Sequence, residues 1–321
     1  MKSNVLVTGA AGVMGARLVS RLCRAGHRVR ALVLPGDKLR ERIAALGCEI
    51  REGDVSDSAT LAGLCAGIDT VYHLAAVIIS HDLGAFERIN RQGTKNLVAE
   101  ARYSGVEHFV YVSSASVTYP RRTPYAESKL AGERLVQAAA PGMAYTIVRP
   151  TLVYEQGGGQ ELMMFLDYLR RFPVVPFIGD GQAIKRPVWS EDVVDGLVRL
   201  AGNGSAWGKT YNFSGSEPIS MRELARLLLL HLDHPRPLLP VPVAFCRAMA
   251  AALKLIQARP ALTSSAIAGI INDADLDPSE AMRDLGYRPL GVREGFSRCF
   301  PLEVERSRAT QGQPLSSFGR V

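Results

Sequence analysis

Residues 5–15 read Val5-Leu6-Val7-Thr8-Gly9-Ala10-Ala11-Gly12-Val13-Met14-Gly15, an apolar run followed by three glycines at three-residue spacing. The run predicts a buried strand over 4–8, and the amphipathic pattern after Gly12 predicts a helix. Each glycine at such a strand-to-helix turn has its own use. Gly9 allows a tight turn, Gly12 lets backbone approach a bound group, and Gly15 lets the helix pack closely on the strand. Free N–H groups and the positive dipole end at the helix start attract a diphosphate, so Ala11, Val13 and Met14 join the three glycines as candidate dinucleotide-binding residues.

Outward from this turn, short β-branched runs alternate with helix-period segments through residue 150, as in a parallel sheet with crossover helices. Strands are predicted at 4–8, 28–34, 49–52, 70–74, 108–113 and 145–148, with Gly26 and Gly105 closing helices. The expected fold is α/β, a Rossmann-type doubly wound parallel sheet over 1–150. A smaller substrate-binding lobe over 151–302 is expected to interleave with the sheet through a strand near 210–213. Residues 303–321 are polar and without periodicity, and read as a mobile tail.

The second strand ends Leu32-Val33-Leu34-Pro35. No carboxylate stands there to repel a 2′-phosphate, and Lys38, Arg40 and Arg42 follow, yet no Arg occupies the strand end; NAD and NADP both stay open. Asp54, after the third strand, is placed to accept from an adenine amino group with Val55 beside it; the alternative is a turn aspartate capping a helix from Ser58. The fourth strand closes Tyr72-His73-Leu74-Ala75-Ala76, where Leu74, Ala75 and Ala76 would let backbone pass close to an adenine ribose. His73 reads as a packed strand-end residue.

Tyr125 and Lys129 lie four apart on a predicted helix and share a face. A phenol is a poor base at neutral pH, and a neighbouring ammonium favours its anion. Tyr125 is therefore the candidate to exchange a proton with an alcohol or carbonyl, and Lys129 the candidate to hold a nicotinamide ribose. Ser114, directly after the fifth strand, would hydrogen-bond the reacting oxygen.

Taken together, Thr8 through Gly15, Gly53-Asp54, Tyr72 through Ala76, Asn90 with Gly93-Thr94, Val112 through Ala115, Tyr125 through Lys129, Arg149-Pro150, Gly179 through Gly181, Arg186 and Asp192-Val193 resemble an extended short-chain dehydrogenase/reductase of the NAD-dependent epimerase/dehydratase family. Leu285 through Pro289 also fits. The resemblance implies a Ser114, Tyr125 and Lys129 triad, with Asn90 near the cofactor or, alternatively, capping a helix. It gives Arg186 to a substrate diphosphate, against a surface ion pair with Glu191 or Asp192. It also implies a homodimer formed by the two helices flanking the fifth strand.

The chain departs from the pattern in several places. Only ten residues separate Ser114 from Tyr125, shorter than the usual substrate-covering loop. Ala115-Ser116 replaces the Asp-Glu pair of dehydratases, Thr151 stands where epimerases often have Asn, and a second phosphate-binding Arg before Asp277 is absent. The leading expectation is NAD(P)-dependent hydride transfer on a sugar nucleotide, of the 4-epimerase type. The alternative is net oxidation or reduction of a bulky apolar, hydroxysteroid-like alcohol. A non-catalytic cofactor-binding subunit is the third reading.

Composition limits the other classes. The 321 residues are 47% hydrophobic and 21% charged, ordinary for a globular chain. The net charge of +7 is dispersed, with no zinc-finger or aromatic-basic motif, so the partner expected is a small molecule and not nucleic acid. Five cysteines without a Cys-x-x-Cys pair suggest buried thiols in a reducing compartment and no metal site. The N-terminus lacks a signal-peptide pattern, so cytoplasm is expected. The apolar stretch 238–257 is interrupted by Arg247 and Lys254, arguing against a membrane span. It reads as a core helix, ahead of a substrate lid or membrane-surface contact.

Overall fold

The computed structural model describes residues 2–155, 159–231, 235–257 and 262–299. The tail expected over 303–321 lies outside the described residues. The first strands are β1 (Asn4–Thr8), β2 (Arg28–Val33), β3 (Glu49–Glu52), β4 (Thr70–His73), β5 (His108–Val112) and β6 (Ala144–Pro150). Then come β7 (Val153–Tyr154), β8 (Val175–Ile178), β9 (Ile184–Lys185), β10 (Val188–Trp189), β11 (Lys209–Phe213), β12 (Ile219–Ser220) and β13 (Leu238–Val241). The helices of the first half are α1 (Val13–Arg24), α2 (Arg40–Ala44), α3 (Gly93–Tyr103) and α4 (Pro124–Ala138). Those of the second half are α5 (Gln160–Arg171), α6 (Ser190–Val198), α7 (Met221–His231), α8 (Val243–Ile256), α9 (Ser264–Ile271), α10 (Ser279–Leu285) and α11 (Val292–Cys299).

Seven parallel strands form the main sheet in the order β11-β6-β5-β4-β1-β2-β3. Order reverses between β1 and β4, which opens a crevice at their carboxyl ends. Successive side chains of β1 serve opposite layers: Val5 and Val7 pack with α1 on one face, Leu6 with α3 on the other. Burial on both faces is why these strands read as continuous apolar runs and not as alternating ones. β2, β4 and β5 end one residue earlier than the sequence predicts, leaving Leu34, Leu74 and Ser113 beyond the ladder at the rim of the crevice. β6 runs longer because β11 pairs with it from Thr146 to Pro150.

The lobe interleaves with the sheet more deeply than a single strand. Val193, Val194 and Leu197 of α6, Tyr211 and Phe213 of β11, and Tyr287 share one core with β1 and α1. Phe213 and Tyr287 stack at 4.7 Å. The remaining lobe has its own core, where α5, α7 and α11 enclose Phe177 of β8.

The stretch 238–257 departs from the core-helix expectation. Its start pairs with β8 as β13, and of α8 only Cys246 and Ala250 are fully buried. An apolar sequence names no partner for its second face, and here that face meets solvent. Among the described residues no helix is long and apolar enough to cross a membrane.

Candidate active site

At the turn after β1 the glycines divide their work sterically. Gly9 has φ +68°, and a Cβ there would lie 2.8 Å from the Ala75 nitrogen. A Cβ on Gly15 would lie 2.1 Å from the Gly9 carbonyl oxygen, so α1 meets the turn only because that side chain is missing. A Cβ on Gly12 would meet only the Gly9 oxygen, at 3.2 Å, and otherwise faces open space. α1 has no side-chain cap, and the N–H groups of Val13, Met14 and Gly15 have no acceptor within the helix. This cradle fits a dinucleotide diphosphate. Across the crevice, Leu74 and Ala75 are pinned to the crest of β1, the first donating to Thr8 O and the second to Thr8 Oγ1, each at 3.3 Å; Ala76 follows.

Asp54 is partly engaged: its Oδ1 accepts from the N–H and the hydroxyl of Ser56, both at 2.8 Å. The turn at Ser58 is capped by Asp57, which accepts from Ala59 N, so Asp54 does not cap it. Val55 is buried, and a Cβ on Gly93 would lie 2.8 Å from its Cγ2. His73 is enclosed between Thr8 Oγ1 at 2.7 Å and Thr94 Oγ1 at 3.0 Å. Burial, helped by the charge of Lys129, pushes its pKa down to about 3, so it is a neutral packing residue at neutral pH.

Ser114 opens the helical turn after β5, its Oγ accepting from Ser116 N at 3.2 Å and lying 2.9 Å from Ser116 Oγ. Thr123 caps α4 through Ala126 N and Pro124 starts the helix, which fixes Tyr125 in the first turn. Ser114 lies on the side of the Tyr125 phenol and acts to hold its pKa down. Lys129 and Glu133 follow at four-residue intervals on the same face. Lys129 is 2% exposed. Its Nζ sits 4.2 Å from the centroid of the Tyr111 ring. Glu133 grips Arg149 with both oxygens, at 2.9 and 2.6 Å. Gly132 lets α4 descend onto β5, since a Cβ there would lie 2.0 Å from the Tyr111 hydroxyl.

Charge at this centre follows burial. Desolvation pushes Lys129 down to about 7, opposed by Glu133. The Tyr125 phenol is pushed up, by burial first and by Glu161, while Ser114 pulls the other way. The phenol therefore holds its proton at neutral pH.

Asn90, 1% exposed, does not cap a helix. It lies in a π-helical turn, Phe86–Gln92. Its Oδ1 accepts from Val77 N at 2.8 Å, while its Nδ2 donates to Val77 O at 2.9 Å and Ser128 Oγ at 3.0 Å. It therefore clamps the loop after β4 to α4. Phe86 from the same turn lies 6.3 Å from the Tyr125 ring.

Arg186 is engaged elsewhere than expected. It pairs with Asp275 and donates to Ser216 O at 3.0 Å. Glu191 instead pairs with Arg17 and Arg21, and Asp192 accepts from Leu290 N. The sequence reading also missed Glu133, Glu161 and Lys185. Glu133 was visible as the next member of the Tyr125–Lys129 stripe. Lys185, 3% exposed, donates to Gly269 O and Asn272 O. Burial pushes it down to about 8, opposed by Asp273 and Glu161.

Residues 5–213, from β1 to the last strand of the sheet, match the NAD dependent epimerase/dehydratase family. The chain belongs to that family. Among epimerase/dehydratase relatives, a 3 beta-hydroxysteroid dehydrogenase/Delta 5→4-isomerase of Mycobacterium tuberculosis is 28% identical, covering 94% of this chain and 90% of that protein. A 2-alkyl-3-oxoalkanoate reductase of Stenotrophomonas maltophilia is 27% identical, covering 92% and 97%. The UDP-glucose 4-epimerase structure from Thermotoga maritima superposes with TM-score 0.71 at 20% identity, covering 95% of this chain and 99% of that one, which shows the shared epimerase/dehydratase fold.

Proposed function

We propose that this protein is an NAD(P)-dependent dehydrogenase/reductase acting by hydride transfer on a secondary alcohol or ketone of an apolar, lipid-like substrate. The observation that carries the reading is the engagement of Arg186. The cation that a sugar-nucleotide enzyme would offer to a diphosphate is here tied to Asp275 and a main-chain carbonyl. The loop after β4 supports the same choice, since it presents Ile78 and Ile79 to solvent at 41% and 38% exposure. The names of the steroid and oxoalkanoate relatives accord with it. Sugar-nucleotide epimerisation, the other reading of the sequence, is disfavoured because Arg186 is engaged.

A nicotinamide cofactor held here would supply the hydride chemistry. Gly9, Ala11, Gly12, Val13, Met14 and Gly15 hold its diphosphate, with Asp54, Val55, Leu74, Ala75 and Ala76 along the adenosine side. Tyr125 delivers its phenolic proton to the substrate oxygen in the reductive direction and takes it back in the oxidative one. Ser114 donates a hydrogen bond to the same oxygen as charge develops on it. Lys129 orients the nicotinamide ribose, with Asn90 fixing the wall beside it. Pairing of two chains through α3 and α4 remains part of the proposal.

The test begins with denaturing the purified protein and assaying the supernatant for nicotinamide. A dehydrogenase exchanges its cofactor each turnover, so none is expected. Reduction of a 3-oxo lipid should then depend on added NADH or NADPH, which also settles the cofactor. Retained cofactor together with interconversion of UDP-hexoses would overturn the proposal.

A further inference from the structure

Helix α8 has two apolar faces, and the protein covers one. At about 100° per residue, Val243, Cys246, Ala250 and Leu253 form a stripe directed at the lobe; Cys246 and Ala250 are 3% and 6% exposed. The opposite arc, about 160° wide at that spacing, carries Ala244, Phe245, Ala248, Met249, Ala251, Ala252, Leu255 and Ile256, all exposed. Phe245 is 58% exposed, Leu255 87% and Ile256 77%. An ordinary surface helix shows polar residues there. Leu239 of β13, 57% exposed, precedes the helix. Between the two faces, Arg247 and Lys254 stand one above the other on the same edge, both exposed.

Charge decides what covers this face. Across 235–272 the sequence holds Arg236, Arg247, Lys254 and Arg259 and no Asp or Glu. Arg236 is tied to the carbonyls of Arg170 and Phe172 and Arg259 lies outside the described residues, which leaves the basic edge of α8. A second copy meeting this face symmetrically would bring the basic edges of two identical helices together with no opposing acid on α8. A bilayer containing acidic phospholipid complements both features: the arc enters the acyl boundary while the edge meets lipid phosphates. At 14 residues the helix is about 21 Å long, too short to span.

We infer that the outer face of α8 is a docking surface for acidic phospholipid bilayers, on which the helix lies in the plane of the interface. The inference does not depend on the substrate proposed above. The experiment is flotation of the full-length protein with phosphatidylcholine vesicles, with and without phosphatidylglycerol, at low and high salt. Binding is expected to the acidic vesicles and to weaken with salt. Arg247→Glu with Lys254→Glu should lower it at least about tenfold. Phe245→Ser, Leu255→Ser and Ile256→Ser together should abolish it, with the melting temperature unchanged because the three side chains are exposed. Absence of binding to acidic vesicles, or binding indifferent to both sets of substitutions, would overturn the inference. So would sedimentation showing that the serine variant converts a dimer to a monomer, which would make the face a contact between copies.

Discussion

Helices α4 and α8 break the usual division of apolar inside and polar outside, in opposite directions. α4 buries Ser128, Lys129 and Glu133 against the sheet, whereas α8 turns Phe245, Leu255 and Ile256 to solvent. On α4 each polar group has a partner: Ser128 has Asn90 and the Tyr125 carbonyl, Glu133 has Arg149, and Lys129 has the Tyr111 ring. Among the described residues the outer face of α8 has none, and its groups need none while water surrounds them. Burial of polarity therefore ties catalysis to the integrity of the fold, while exposure of apolar surface leaves the fold indifferent. The same kind of exception has a different meaning in the two places.

Substitutions test that contrast, and the largest effect is expected at Tyr125. Tyr125→Phe removes the proton donor and should lower kcat by about 10²–10⁴ with an unchanged circular dichroism spectrum; near wild-type turnover would remove Tyr125 from the reaction. Arg149→Ala leaves the Glu133 carboxylate buried without its partner and should cost about 3 kcal/mol, read from the urea midpoint. Adding Glu133→Gln should recover most of that loss, because the stranded group is then neutral.

Lys129→Met sharpens the comparison through pH. The native pKa of about 7 lies below the ordinary 10.5, so between these values the unfolded chain binds the extra proton and wild-type stability rises with pH. The penalty is complete below pH 7. The Met variant should accordingly melt higher than wild type at pH 6, by roughly 2–6 °C, with the gap closing towards pH 10 and activity lost throughout. A gap independent of pH would mean that packing, and not the ammonium, sets it. The smallest effect is expected on α8, where Leu255→Ser should change stability by no more than about 0.5 kcal/mol. A loss comparable to that of Arg149→Ala would show that the exposed arc is covered within the folded protein.

The first half of the fold was legible because its signals are local. β1 begins and ends where its apolar run does, and Gly9 and Gly15 stand where backbone crowding admits no side chain. Tyr125 and Lys129 were suggested by their four-residue spacing, Ser114 by its place after the fifth strand, and the three together by the family resemblance. Glu133 extends the same spacing, but its partner Arg149 comes from a neighbouring strand. Arg186 shows the same limit for its ion-pair partner. Acidic residues five and six positions away looked available, while the carboxylate it meets belongs to Asp275, distant in sequence. In α8 the periodicity was real, yet period reports only that apolar residues share a face and says nothing about what lies opposite.

The Asn90 clamp has a consequence for how such a protein diversifies. Its hydrogen bonds go to the backbone of Val77 and to Ser128 on α4, so they fix the path of the loop without reading the side chains that follow. Ile78 and Ile79 are thus free to vary on a rail whose position relative to the reacting phenol stays constant. Under the proposed function, substrate range would then be open to change by single substitutions at these two positions, each inheriting the same framework around Tyr125, so that a lineage could explore new substrates without rebuilding the site.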